Sequence, residues 1–171
     1  MSTIAPAASA APALLMRLPS PIGRIELTAE DGAVTSLAIE RDGRLPLESR
    51  PERGAAVLER AAAQLAEYFA GQRSSFDVPV RLRGTPFQRR IWALLAEIPY
   101  GRVVSYGALG LASTGRPAGR AVGGAVGANP VPLIVPCHRV LATSGRITGY
   151  SAGAGIATKA WLLDLEGIPH R

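Results

Sequence analysis

The alternation of apolar and polar positions predicts a small sheet near the start of the chain. Period-two alternation over residues 24–28 and 34–39 indicates two strands, and Asp31-Gly32 between them is typical of a hairpin turn. Apolar residues at helical spacing over 54–70 then predict one helix that packs on this sheet. Pro79 places the extended segment after the helix at a sheet edge. No residue of this first part suggests chemistry.

Beyond Gly84 the pattern becomes mostly helical. A capping box predicts a helix that begins after Thr85. Two short helices follow, one capped by Ser105 and one over residues 117–128, with a glycine in the turn between them. A pair of short helices joined in this way is typical of a helix-turn-helix, although many buried helical pairs share the pattern.

These patterns predict an α+β protein with three regions. Residues 1–15 are rich in alanine, proline and serine and are expected to form a disordered extension. Residues 16–83 are expected to form an N-terminal α/β domain, a small antiparallel sheet plus a helix. Residues 84–171 are expected to form a mostly helical C-terminal domain with a buried strand. No stretch approaches 18 consecutive apolar residues, so no membrane-spanning helix is expected.

Positive charge is concentrated in the second domain. The formal net charge is +6, yet residues 1–83 hold ten arginines and ten acidic side chains. No Asp or Glu occurs from Ile98 to Leu163. Such a distribution favours a polyanionic partner such as nucleic acid, although a general arginine bias in composition produces the same excess.

The chain has one cysteine, Cys137, at the end of an apolar run bracketed by prolines. A single cysteine rules out an internal disulfide and a multi-cysteine metal site, and most free cysteines are small buried hydrophobes. Here His138 comes next, and a histidine can draw the proton from a thiol. Residues 131–140 are expected to be extended, so adjacent side chains point to opposite faces. Contact between the two groups then requires a turn or a bridging water.

Two further features allow more than one interpretation. Glu166 lies in the last turn of a helix predicted over 156–166, where the helix dipole disfavours an anion by about 0.3–1 kcal/mol. It is either exposed or the partner that orients His138. The second helix of the helix-turn-helix contains glycines, each of which lowers helix stability by about 1 kcal/mol relative to alanine. Asn129 is expected to end this helix in a left-handed conformation. Close helix packing or close approach to a nucleic-acid backbone would favour those glycines, which are Gly119, Gly123, Gly124 and Gly127.

The segment Pro136-Cys137-His138-Arg139-Val140 resembles the signature of the O6-alkylguanine-DNA alkyltransferases. The resemblance is close over residues 84–167 and looser over 16–83. It implies a ribonuclease H-like first domain and a second domain with a winged helix-turn-helix and a buried active-site strand. Flanking segments that carry the same resemblance are Ser105-Tyr106-Gly107, Arg120-Ala121-Val122-Gly123, Asn129-Pro130, Gly149-Tyr150 and Glu166-Gly167.

The resemblance implies DNA repair by direct reversal. Members of this family transfer the alkyl group of O6-alkylguanine to their own cysteine, and O4-alkylthymine is expected to be a second substrate. The reaction is a single turnover and needs no cofactor or metal. The nucleotide is flipped out of double-stranded DNA from the minor-groove side. The arginine finger that fills the gap in the stack corresponds to Arg120. The other implied DNA-binding positions are Ser105, Ala121, Gly123 and Gly124.

In the pocket, the resemblance implies that Cys137 is the nucleophile, that His138 takes its proton through a water, and that Glu166 stabilises the imidazolium. Tyr106 is implied to rotate the nucleotide and donate a proton to the guanine ring, and Asn129 to bind the segment around the cysteine. The implied substrate-binding residues are Val140, Tyr150, Ser151 and Lys159. The segment from Tyr150 to Lys159 is about two residues longer than is usual in the family, which is expected to widen the pocket.

Three other functions remain open. A protein that binds alkylated DNA without repairing it would lack the cysteine, so Cys137 argues against it. A cysteine hydrolase would need direct contact between thiol and imidazole and an oxyanion hole. A plain helix-turn-helix regulator would have an inert cysteine. With no disulfide pair and no charged export segment, a cytoplasmic protein is expected. The resemblance implies a monomer.

Overall fold

A computed structural model describes residues 14–171 of the chain. The extension expected over 1–15 therefore lies mostly outside the described residues. Its expected end is wrong, because Leu14 and Leu15 already belong to strand β1 (Leu14–Leu18), where Leu15 is buried and pairs with Thr28. Within the described part of the chain, no helix is long and apolar enough to cross a membrane.

The first unit is a three-stranded antiparallel sheet covered by one helix. Strands β2 (Ile25–Glu30) and β3 (Ala33–Ile39) follow β1, and the strand order is β1-β2-β3. Asp31 and Gly32 both have positive φ, as a tight hairpin turn requires, so the predicted hairpin is confirmed. Helix α1 (Ala56–Phe69) packs its apolar face on the sheet, and the chain turns at Gly71 with φ +73°.

Strand β3 is an edge strand, and two later segments bind to it. The backbone N–H of Val34 donates to the carbonyl of Pro79 at 2.9 Å, which confirms that the segment around Pro79 lies at the sheet edge. The N–H of Leu37 donates to the carbonyl of Pro130 at 2.9 Å. The first unit therefore contacts the segment that leads to Cys137.

The second unit contains four helices and two very short strands. Helix α2 (Pro86–Ala96) begins with the capping box predicted at Thr85. Strand β4 (Val104–Ser105) leads into α3 (Tyr106–Thr114), then α4 (Gly119–Gly127), β5 (Val140–Leu141) and α5 (Ile156–Leu165). Strands β4 and β5 pair in parallel. The N–H of Ala108 donates to Ser105 Oγ, so the cap predicted for α3 is present.

Helices α3 and α4 form the predicted helix-turn-helix. Gly115 ends α3 with φ +73°, and α4 begins at Gly119, two residues later than predicted. The turn packs against α3 at Gly110, where an added Cβ would lie 2.6 Å from the backbone nitrogen of Ala118. Only a glycine allows the two helices to approach so closely.

The segment before Cys137 is buried, as expected, but it is not extended throughout. Leu133 has φ +73°, and Cys137–Arg139 form a single 3₁₀ turn. Only Val140–Leu141 belong to a strand. Asn129 also lacks the left-handed conformation expected of it. Instead its side chain binds Val131 and Val135, which folds this segment into a loop.

Candidate active site and DNA-binding surface

Cys137 lies at the start of the 3₁₀ turn, where it lines a cavity of about 600 Å³. The thiol is almost completely buried, and this burial raises the pKa of Cys137. The nearby amide of Asn129, the nearby hydroxyl of Tyr150 and the positive charge of Lys159 act in the opposite direction. The resting group is therefore a thiol that needs a base before it can act as a nucleophile.

His138 follows on the same turn and points toward a different group. Its Nε2 lies 2.9 Å from Glu166 Oε1, and the ring is fully buried. The other ring nitrogen, Nδ1, is buried and has no hydrogen-bond partner within residues 14–171. Burial lowers the pKa of His138, although Glu166 opposes this shift. The imidazole is thus neutral near pH 7 and has one nitrogen available to accept a proton.

Glu166 lies directly after α5, and it is buried rather than exposed. Its carboxylate accepts hydrogen bonds from His138 Nε2, from Arg139 at 2.8 and 2.9 Å, and from the backbone N–H of Gly101 at 3.2 Å. Burial alone would raise the pKa of Glu166, but these donors outweigh it and lower the pKa to about 2. The interpretation of Glu166 as a solvated surface residue is therefore wrong.

Tyr68 is the residue of this cluster that the sequence did not reveal. It lies on α1 of the first unit, and its hydroxyl donates to Glu166 Oε1 at 2.8 Å. The first part of the chain, in which no residue suggested chemistry, therefore supplies a side chain that contacts this cluster. Its helical spacing predicted a buried aromatic residue, but the partner lies 98 positions away, and no local pattern connects the two.

Arg139 is buried in the same cluster, as the counter-ion of Glu166. Its Nη1 also donates to the carbonyl of Ile98 at 2.6 Å, and its guanidinium lies 5.7 Å from the ring centre of Tyr100. Lys159 is buried as well. These two cations belong to the stretch without acidic residues, so part of the positive charge is internal and does not face a polyanion.

Lys159 lines the cavity, close to two tyrosines that line it as well. Its Nζ donates to the carbonyl of Val140 at 2.6 Å and lies 5.8 and 6.0 Å from the ring centres of Tyr106 and Tyr150. Burial lowers the pKa of Lys159 to about 8. The structure therefore brings together four of the predicted site residues, which are Tyr106, Val140, Tyr150 and Lys159.

Tyr150, Ser151 and Asn129, which were also predicted for the site, differ in their hydrogen bonding. The hydroxyl of Tyr150 is buried and has no hydrogen-bond partner of normal geometry within residues 14–171. Ser151 is exposed, and its hydroxyl donates to the carbonyl of Gly127 at 2.9 Å. Asn129 Nδ2 donates to the carbonyl of Val135 at 2.8 Å, and its Oδ1 accepts from the N–H of Val131 at 3.0 Å. Asn129 thereby braces the loop that carries Cys137.

Helix α4 forms one wall of the cavity, and its glycines are exposed except Gly123, which is half-buried. An added Cβ at Gly119, Gly123 or Gly124 would meet no atom within 4 Å. Close helix packing therefore does not explain these glycines. Arg120 and Ala121 are exposed on the same helix. The exposed face of α4 beside the mouth of the cavity therefore carries few side chains, and Arg120 is its long cationic one.

A helix-turn-helix at the mouth of a cavity with a buried cysteine defines a DNA-binding protein that carries a nucleophile. Comparison with known families agrees with this class. Residues 16–82 match the 6-O-methylguanine DNA methyltransferase ribonuclease-like domain, and residues 86–168 match the DNA binding domain of the same enzymes. The chain belongs to the 6-O-methylguanine DNA methyltransferase family.

Individual relatives agree over most of their length. The methylated-DNA–protein-cysteine methyltransferase of Mycobacterium tuberculosis is 44% identical over 149 residues, which is 86% of this chain and 88% of that protein. The constitutive enzyme of that name from Bacillus subtilis is 36% identical over 156 residues, 89% of this chain and 94% of that protein.

Solved structures give the same result. The crystal structure of Mycobacterium tuberculosis O6-methylguanine methyltransferase has a TM-score of 0.80 at 40% identity and covers 90% of this chain and 92% of that one. The structure of Mycobacterium tuberculosis OGT in complex with DNA has a TM-score of 0.76 at 42% identity and covers 88% of this chain and 90% of that one.

Proposed function

We propose that this protein repairs alkylated DNA by moving the alkyl group of O6-alkylguanine, and of O4-alkylthymine, onto Cys137. One observation carries the proposal: the thiol lies in the wall of a cavity of about 600 Å³, next in the chain to a histidine that is paired with a buried carboxylate. The names of the relatives support the same reaction. The chemistry needs only a nucleophile, a base and a site that excludes water.

The proton of Cys137 leaves through His138. The free Nδ1 of the neutral imidazole accepts it through one water, since no direct hydrogen bond joins sulfur and ring within the described residues. Glu166 then stabilises the imidazolium that forms. With its pKa held near 2, Glu166 stays ionised and keeps the ring in one orientation.

The thiolate next attacks the alkyl carbon in line with the bond to O6. The sulfur–carbon bond forms, the carbon–oxygen bond breaks, and its electron pair passes to the guanine. Tyr106 donates a proton to the guanine ring as this charge develops. The carbonyl of Val140, fixed by Lys159, accepts a hydrogen bond from the exocyclic amine of guanine, and Tyr150 and Ser151 line the pocket near O6.

Helix α4 delivers the base to this pocket. Its open glycine surface at Gly123 and Gly124 lets the backbone approach DNA closely from the minor groove. Ser105, at the start of α3, and Ala121, exposed on α4, contact the DNA as well. Arg120 fills the gap that the flipped nucleotide leaves, because a planar guanidinium can stack on bases. Flipping costs a few kcal/mol, which stacking and phosphate contacts offset.

The reaction ends with the protein consumed. The thioether on Cys137 has no good leaving group, so each chain acts once. All of the proposed groups lie on one chain, so the monomer is sufficient. A thiol that must remain reduced fits the cytoplasm.

The test is the stoichiometry of repair. Duplex DNA containing O6-methylguanine is titrated with the protein, and the remaining lesion is counted. The proposal predicts one lesion removed for each chain, with none removed by Cys137→Ser. Repeated turnover, or tight binding without repair, would contradict it and favour a hydrolase or a non-catalytic binding protein.

A further inference from the structure

Three side chains donate hydrogen bonds to a single oxygen of Glu166. Its Oε1 lies 2.9 Å from His138 Nε2, 2.8 Å from Arg139 Nη2 and 2.8 Å from the hydroxyl of Tyr68. The other oxygen, Oε2, accepts from Arg139 Nε at 2.9 Å and from the N–H of Gly101 at 3.2 Å. A carboxylate oxygen has about two lone pairs. The donors at Oε1 therefore compete, and the bond from Tyr68 weakens the bond from His138.

The Tyr68 hydroxyl is fixed in this position from the first unit of the fold. The side chain is fully buried on α1, and its ring centre lies 5.5 Å from that of Phe76 and 6.1 Å from that of Tyr100. Burial and the charge of Glu166 raise the pKa of Tyr68, so the hydroxyl keeps its proton and donates it to the carboxylate. Alkyl transfer as proposed above uses His138 and Glu166 and leaves this donor without a role.

A base in the position of His138 has to meet two opposed requirements. At rest the imidazole has to be neutral, because a protonated ring cannot accept the proton of Cys137. During transfer the imidazolium has to be stable, and the ionised Glu166 provides this. A carboxylate bonded to the ring without any competing donor would favour the imidazolium already in the resting protein. A second donor on the same oxygen reduces this effect and leaves the carboxylate in place.

Charged groups around His138 act in both directions. Burial lowers the pKa of His138 most strongly, Glu166 raises it, and the positive charges of Arg139 and Lys159 lower it. Of these three charged groups, Glu166 alone favours the imidazolium, so a donor to its carboxylate acts directly on the protonation of the ring. Further titratable side chains border this cluster and are neutral near pH 7, because burial raises the pKa of each; they are Cys137, Tyr68 and Tyr100.

We propose that Tyr68 is a positioning residue for alkyl transfer, which limits the hold of Glu166 on the His138 ring and so keeps the imidazole free to accept the thiol proton. This proposal rests on the function proposed above. The covalent step is unchanged: the thiol proton passes to His138, the sulfur–carbon bond forms, and the carbon–O6 bond breaks with its electron pair going to guanine. Tyr68 keeps its own proton throughout and acts only through Glu166.

The variant Tyr68→Phe removes the hydroxyl and is expected to raise the pH at which His138 titrates. The chain has two histidines, so nitrogen NMR of protein with labelled histidine follows His138 directly, and His170→Asn assigns the second signal. The repair rate is measured in parallel on a duplex containing O6-methylguanine. The rate constant of Tyr68→Phe relative to wild type is expected to fall about threefold or more between pH 8 and pH 5, which is the size of one hydrogen bond to an ionised group.

Tyr100→Phe is the matched control. It removes a hydroxyl from a neighbouring ring, but that hydroxyl donates to the carbonyl of Leu165 at 3.3 Å and not to the carboxylate. The titration of His138 in this variant is expected to match wild type. Replacement of Tyr68 by 3-fluorotyrosine tests the opposite direction, because fluorine makes the phenol a stronger donor. It is expected to lower the pH at which His138 titrates.

An unchanged His138 titration in Tyr68→Phe would overturn the proposal, as would an equal loss of repair rate at every pH, which a purely structural role would produce. A shift of the same size in Tyr100→Phe would also count against it. If Tyr68→Phe does not fold, the fluorotyrosine protein decides alone, and a shift to higher pH or no shift would exclude the proposed role. The titration is independent of repair, whereas failure of the proposed function would appear as no methyl transfer to Cys137 in the wild-type protein.

Discussion

The carboxylate of Glu166 gives the sharpest prediction, through the variant Glu166→Gln. In the folded protein the pKa of this group is about 2, against an ordinary value of 4.5. A difference of that size corresponds to about 3 kcal/mol of stability at neutral pH. Removal of one member of a buried ion pair typically lowers the free energy of unfolding by a similar amount, about 3–5 kcal/mol. Here Arg139 would remain buried without a counter-ion.

The pH dependence follows from the direction of the shift. The unfolded chain protonates Glu166 near pH 4.5, and the folded protein protonates it only near pH 2. The stabilisation is therefore fully present above about pH 5 and is lost as the pH falls toward 2. Wild-type protein is expected to lose this stability over that range, and Glu166→Gln is expected to lack it already at pH 7.

Urea unfolding at pH 7 and at several values down to pH 2.5 measures both effects. At pH 7, Glu166→Gln should unfold with a free energy about 3 kcal/mol lower than wild type, or with a Tm lower by about 6–12 °C. Asp164→Asn is the matched control, since Asp164 is an exposed acid of α5 that pairs only with His170 among the described residues. It should cost less than about 1 kcal/mol. Equal stability of Glu166→Gln and wild type at pH 7 would show that the buried carboxylate does not stabilise the fold.

Three further predictions concern the DNA-binding surface and the loop before Cys137. Arg120→Ala should slow repair in duplex DNA about tenfold or more and leave the reaction with free O6-benzylguanine nearly unchanged, and equal slowing would exclude a role in filling the stack. Gly124→Ala should raise the free energy of unfolding by about 1 kcal/mol, because an added Cβ meets only open space, and should weaken binding to duplex DNA; unchanged DNA affinity in a binding titration would contradict the proposed close approach. Asn129→Ala should lower the free energy of unfolding by about 1–3 kcal/mol, because it removes both side-chain hydrogen bonds that Asn129 makes to the loop. It should also slow alkyl transfer to Cys137 from duplex DNA and from free O6-benzylguanine alike. Wild-type stability would argue against the bracing role of Asn129.

Local patterns were sufficient to predict the elements that surround the site. The hairpin at Asp31, the capping box at Thr85 and the cap at Ser105 each depend on a few neighbouring residues, and each is present in the structure. The position of Glu166 at the end of α5 was likewise visible from Gly167 and the apolar spacing before it. Such signals act within a single turn of chain, which is why sequence alone reveals them.

The course of the chain before Cys137 was not predictable in the same way. An apolar run with prolines fits a buried strand as well as a buried loop, and nothing in it predicts the positive φ at Leu133 or the 3₁₀ turn at Cys137. Both depend on the amide of Asn129 and on packing in the core. The contacts from the first unit, Tyr68 to Glu166 and Arg41 to Gly153, join positions about 100 residues apart and arise only when the two units fold together.

Cys137 itself is expected to receive the alkyl group. Intact-mass measurement after incubation with a duplex containing O6-methylguanine, followed by peptide mapping, tests it most directly. We expect a gain of one methyl group per chain, located on Cys137, and no gain for Cys137→Ser. A methyl group on another residue, or loss of the lesion from the DNA with no gain in protein mass, would contradict it.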